Sequence, residues 1–204
     1  MKIAAKIIST IFHPLIIPVI GLLIIFNTDS YINYSIPRDL KIAIITLVGT
    51  STFVIPVLIS LLLLHKKMIK SLEMTTSKER IIPYAFTIVF YIFTLYMLKE
   101  AAIPPLIFKF IIGATLVVLV TFIINFKWKI SAHMVGIGGL VGALICTSTI
   151  LEIYLTPYII LSLLIAGLIG SSRLILKAHN QLQIYVGFVV GLICQLFTIY
   201  YLVK

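Results

Sequence analysis

Leu106–Phe126 reads LIFKFIIGATLVVLVTFIINF. These 21 residues hold one ionisable side chain, Lys109, and no proline. A bilayer's hydrocarbon core is crossed by roughly 20 apolar residues in a helix, so this run is long enough to span one. Similar runs lie on either side of it. They are placed at about Ile7–Phe26, Leu40–Leu64, Tyr84–Leu98, Ser131–Leu151, Tyr158–Gly170 and Ile184–Val203. Over all 204 residues, 61% are apolar and 11% charged, and mean hydropathy is +1.21. A soluble domain carries roughly 25% charged residues; this chain lacks the polar surface to face water. Barrel strands alternate apolar and polar residues, whereas these runs are continuous. The sequence predicts an all-α integral membrane protein, a bundle of six to seven transmembrane helices forming one domain over residues 1–204.

The net charge is +10, from 16 Lys and Arg against 6 Asp and Glu. The cations fall in short loops between apolar runs, where they set topology and meet anionic headgroups. No domain remains to bind nucleic acid, so the expected partner of these cations is the bilayer. Lys2 and Lys6 ahead of an apolar stretch resemble a signal peptide. The stretch is interrupted by His13-Pro14 and Pro18 with no small-residue cleavage site after it, so it is expected to be a retained first span, kinked at its prolines. Cys146 and Cys194 lie inside apolar runs, form no CxxC pair and are read as packing residues. Gly136, Gly138, Gly139, Gly142 and Ala143 mark the fifth run for close helix approach.

The order of spans carries functional information. The loops at 65–82, 127–130 and 171–180 are separated by two spans each, so all three are expected on one membrane face. Every candidate reactive residue lies in or beside them, which defines a motif-bearing core of about residues 65–204. Lys78 and Arg80 precede the third span. Ser131-Ala132-His133 opens the fifth, where helix-start N–H groups and the Ser hydroxyl suit an anion. Ser172-Arg173 is followed by His179 and then Gln183; positions four apart share a helical face, so Gln183 is expected to reach the His179 ring. Taken singly, each group has an ordinary explanation as a juxtamembrane cation, a helix cap or an interfacial histidine. Together they describe a phosphate site.

This constellation resembles the type 2 phosphatidic-acid phosphatase superfamily, the membrane lipid phosphatases that share an active site with vanadium haloperoxidases. That family has a Lys several residues before Arg-Pro, then Pro-Ser-Gly-His, then Ser-Arg with a His six residues after the Arg and an Asp four further on. Here the third motif is SRLILKAHNQLQ, the second is Ile130-Ser131-Ala132-His133, and the first is KERIIP with Pro83 three residues after Arg80. Gln183 stands where the family has Asp, Ala132 where it has Gly, and Ile130 where it has Pro.

The resemblance implies that His179 attacks phosphorus and becomes a phosphohistidine. It implies that His133 protonates the leaving group and then activates water. Gln183 orients His179, and Arg80, Arg173, Ser131 and Lys78 hold the phosphoryl oxygens. Such a reaction uses no metal or cofactor. The implied activity is hydrolysis of a lipid phosphate or pyrophosphate, phosphatidate-like or polyprenyl, in a plasma membrane of bacterial type. The alternative is a non-catalytic lipid-phosphate binder of the same fold, motivated by Gln183. A transporter would place ionisable residues mid-span, and these spans have almost none besides Lys109. By span parity, eleven cations lie on the motif side and five (Arg38, Lys41, Lys99, Lys109 and Lys204) on the other. That count favours a cytoplasmic motif face; without Lys78, Arg80 and Arg173 it is eight against five, which leaves the face open, and nothing in the sequence sets the oligomeric state.

Overall fold

A computed structural model of the chain describes residues 1–101 and 103–202. Ala102, Val203 and Lys204 lie outside the described residues, and with them the end of the seventh predicted span and one of the counted cations. Helices are the only regular elements among the described residues, which hold no strands. Among them are seven helical runs long and apolar enough to cross a membrane.

The first run is broken where its prolines stand. Helix α1 (Lys2–Ile11) stops before His13, which takes an extended backbone (φ −64°, ψ 135°), as a residue ahead of proline does. A single 3₁₀ turn, Pro14–Ile16, leads into α2 (Ile17–Asn27). Eleven residues rise only about 16 Å, so α2 cannot cross alone; the span is the whole of Lys2–Asn27. A short helix, α3 (Tyr31–Ser35), is capped by the Ser30 hydroxyl, which accepts from the Asn33 N–H at 3.3 Å. The second span joins α4 (Arg38–Gly49) to α5 (Ile55–His65) through a π turn at Thr50–Val54. This places the wider turn directly ahead of Pro56, which has no N–H to donate. From that turn the Ser51 hydroxyl shares a hydrogen bond of 2.5 Å with the Thr94 hydroxyl of the third span. The remaining spans are α6 (Ile81–Lys99), α7 (Pro105–Asn125), α8 (Ala132–Leu151), α9 (Thr156–Ile175) and α10 (Gln181–Phe197), the last extended by a π turn to Leu202.

The sixth span runs five residues beyond its predicted end at Gly170. Polar residues suggested a loop there, but they belong to the helix. The Ser172 hydroxyl bonds back to the Leu168 carbonyl at 2.7 Å, and Arg173 is buried against the protein. The helix stops one turn later: Lys177 takes φ 52°, Ala178 N–H reaches the Arg173 carbonyl and Lys177 N–H the Leu174 carbonyl. This pair of bonds is a Schellman ending.

Helix α8 is the hub. Its most apolar window is 67% buried, against 22–33% for the other spans, and it packs most extensively against α10. The two run in the same direction with their backbones nearly touching. A Cβ added at Gly142 would lie 2.8 Å from the Leu192 carbonyl oxygen, and one at Gly187 3.0 Å from that of Ser131. At Gly138 and Gly191 it would collide outright with the Phe188 and Val135 carbonyls. Small residues replace the hydrophobic drive that is missing between helices in lipid. The outward faces are apolar, as with Val89 and Phe93 on α6 or Leu161 and Leu164 on α9. This contact yields a test. Gly191→Val is expected to destabilise the protein by at least the roughly 1–3 kcal/mol typical of overpacking. Gly167→Ala, in open space on α9, should be neutral or stabilising by up to about 1 kcal/mol. Thermal unfolding in detergent compares them.

Candidate functional site

The parallel α8–α10 contact brings the beginnings of both helices together. Ser131 N–H, just ahead of α8, donates to the Gln183 carbonyl in the first turn of α10 at 3.3 Å. Asn180 caps α10: its Oδ1 accepts from the Gln183 N–H at 2.9 Å, while Gln183 Oε1 accepts from the Asn180 N–H at 3.2 Å. This reciprocal capping box also handles His179, since Gln183 Oε1 lies 3.0 Å from His179 Nδ1. His179 therefore precedes the helix instead of sharing a face of it with Gln183, although the expected contact forms. A backbone N–H can only donate, so the Gln183 atom between Asn180 N and His179 is the oxygen. It follows that Nδ1 carries the proton and Nε2 keeps its lone pair.

Two buried arginines stand in the same neighbourhood. Arg80, at the end of a 3₁₀ turn (Lys78–Arg80) that leads into α6, is 6% exposed. Its Nε donates to the Met74 carbonyl at 3.0 Å and its Nη1 to the Ile130 carbonyl at 3.1 Å. Arg173, in the last turn of α9, is 8% exposed, and its buried Nε has no partner among the described residues. The hydrogen bonds of Arg80 thus go to carbonyls. The neighbouring Glu79 carboxylate accepts instead from the Lys70 and Thr76 N–H groups, at 3.4 Å each. The Ser131 hydroxyl is fully buried and likewise unpartnered among the described residues; it does not cap α8.

His179 is buried, and its pKa is pulled down to about 4. Burial is the main cause and the Arg80 charge adds to it; the Gln183 hydrogen bond opposes, and Arg173 and Lys129 lower it further. At neutral pH the ring is an uncharged imidazole. Lys129 is the cation that the motif resemblance passed over. Its ammonium donates to the Ala178 carbonyl at 3.2 Å, and burial, then Arg80 and Arg173, lower its proton affinity. Its signal was its place, two residues before Ser131 in a four-residue loop. Lys78 by contrast is exposed on its 3₁₀ turn. Asn125, also unanticipated, closes α7 by donating to the Ser77 carbonyl at 2.8 Å.

His133 sits at the second position of α8 and turns toward the first span. Its Nε2 lies 2.9 Å from the Ser9 carbonyl oxygen, and its ring meets His13 edge to face with centroids 5.6 Å apart. Arg173 and His179 are both within electrostatic reach of it. Among the described residues no three His, Cys, Asp or Glu side chains are grouped to hold a metal ion. No family model, curated protein or solved structure matches the chain.

Buried guanidinium groups without carboxylate partners cost several kcal/mol each unless an anion compensates them. Two of them, a partly buried ammonium, an unpartnered hydroxyl and a neutral imidazole with a bare Nε2 suit a tetrahedral oxyanion. Histidine ¹⁵N spectra test the electrostatics. His179 is expected to stay neutral and Nδ1-protonated down to about pH 5 and to titrate near 4. Arg80→Gln should move the midpoint upward, and so should added phosphate or vanadate, because both weaken the positive field on the ring.

Proposed function

We propose that the protein is an integral-membrane phosphatase for a lipid phosphate or pyrophosphate, acting through a phosphohistidine at His179. On this reading it is a divergent relative of the type 2 phosphatidic-acid phosphatases in a bacterial-type plasma membrane. The observation that carries the proposal is a pair of buried arginines without carboxylate partners among the described residues, beside a neutral histidine whose Nε2 has no partner there. The three motif loops would open on one face of the membrane. In support, Arg80 bonds Ile130, Lys129 bonds Ala178 and Ser131 bonds Gln183.

In the first step the His179 Nε2 lone pair attacks phosphorus and the bond to the leaving oxygen breaks. That oxygen takes a proton from His133, whose neutral ring has first accepted it from the monoprotonated phosphate. In the second step water attacks the phosphohistidine and gives a proton back to His133, and the phosphorus–nitrogen bond breaks to release phosphate. The net change is lipid phosphate plus water to lipid alcohol plus phosphate. Arg80, Arg173, Lys129 and the Ser131 hydroxyl meet the charge on the equatorial oxygens, which is where positioned cations and donors act in phosphoryl transfer.

A second reading, a non-catalytic lipid-phosphate binder, is favoured by two features: Gln183 brings no negative charge to His179, and His133 is hydrogen-bonded to the first span. Phosphate release from a panel of phosphatidate, lysophosphatidate and polyprenyl phosphates and pyrophosphates, with chelator present, separates the two. The phosphatase reading expects release from at least one lipid, its abolition in His179→Ala, and a fall of about 10²–10⁴-fold in His133→Ala. Binding without release from any lipid supports the second reading. Gln183→Glu keeps a capping-box acceptor of the same reach and adds a charge that stabilises the His179 imidazolium. The acid limb of its pH–rate profile should therefore lie higher than the wild type's. Gln183→Ala loses both contacts and should be slower at every pH.

A further inference from the structure

The break in the first span has a chemical consequence at His133. In an unbroken helix the Ser9 carbonyl would accept from the N–H of residue 13. Pro14 holds His13 in an extended conformation instead, and α1 ends at Ile11. The N–H of Phe12 returns to the Ile8 carbonyl, which leaves the next carbonyl, that of Ser9, without its helical donor. Ser9 is buried, so water does not readily replace that donor, and a buried orphan carbonyl is costly. The group that fills the vacancy is His133 Nε2 at 2.9 Å.

We infer that the proline break of the first span sets the tautomer and ring orientation of His133, with the Ser9 carbonyl as the positioning group and Pro14 as the residue that frees it. A carbonyl oxygen only accepts, so Nε2 carries the proton of the neutral ring and Nδ1 is the nitrogen left to take or give one. His13 packs edge-on against the same ring, with its plane at 75°, and narrows the orientations open to it. The arrangement follows the logic of base and orienter, with a main-chain carbonyl in place of the usual carboxylate. Its catalytic meaning rests on the phosphatase reading above: the proton exchanged with the leaving oxygen and with water passes through Nδ1 of His133.

The test is ¹⁵N spectroscopy of histidine-labelled full-length protein in nanodiscs at pH 7, with the His133 signals identified by their loss in His133→Asn. Wild type is expected to show His133 protonated at Nε2 and bare at Nδ1. Pro14→Ala restores the possibility of a His13 N–H to Ser9 carbonyl bond, so its His133 should shift to the other tautomer or to a mixture. Phosphate release should then fall about 10²-fold in kcat, with KM changed less than about twofold. His13→Ala keeps the proline and should keep the wild-type tautomer. A wild-type His133 protonated at Nδ1 overturns the inference even if Pro14→Ala does not fold. So does an unchanged tautomer in a folded Pro14→Ala protein, or loss of the tautomer in His13→Ala. If wild type carries the expected tautomer but releases phosphate from no lipid, the phosphatase reading fails and the orienting role stands.

Discussion

The architecture depends on one contact, the backbone-to-backbone approach of α8 and α10 through Gly138, Gly142, Gly187 and Gly191. Lipid tails are as apolar as leucine, so burying hydrocarbon between two helices gains little in a bilayer. Close packing gains more, and only residues without a side chain let carbonyls come this near. Because the helices run in parallel, the contact fixes their relative height. Ser131 and Gln183 end up bonded through their main chains, and the groups just outside each helix, Lys129 and His179, become neighbours. Helices α7 and α9 and the broken first span then pack around α8.

A second theme is polarity without a polar partner. The interior holds Arg80, which bonds main-chain oxygens, Arg173, whose Nε bonds nothing described, a Ser131 hydroxyl likewise unpartnered, and a buried His179. Such groups weaken a fold in isolation. The stretch from Lys66 to Ser77 is tied down by the same groups: Arg80 holds Met74, Glu79 gathers the N–H groups of Lys70 and Thr76, and Asn125 grips Ser77. Order in that loop and arrangement of the site are thus one problem for the chain.

Much of the fold was legible because membrane spans announce themselves by length and apolarity. Leu106–Phe126 and its six companions correspond closely to the helical runs, and His13-Pro14 marked the break in the first. Where the sequence misled, a residue's polarity had been read as exposure. Ser172 and Arg173 looked like a loop, yet they sit inside α9 because they face the protein. Lys78 stood in for the family's lysine at an irregular spacing and is exposed, while Lys129, which looked like a topology signal, reaches into the cluster. One feature has no sequence signature at all. The vacancy at the Ser9 carbonyl belongs to main-chain geometry that no residue type spells out.

The two arginines also differ in which edge they leave open. A guanidinium has five N–H donors in a planar fork, and each edge takes an oxygen pair in its own direction. Arg80 commits Nε and one Nη1 hydrogen to Met74 and Ile130, so its side-on edge cannot take an oxygen pair through Nε. Arg173 keeps Nε unengaged, so its side-on edge stays open. On the proposed reading an oxyanion can pair with the flank of Arg173 but not with that of Arg80. If that reading holds, two charges of equal sign act as a directional pair, and the ligand is rotated as well as charged to satisfy both.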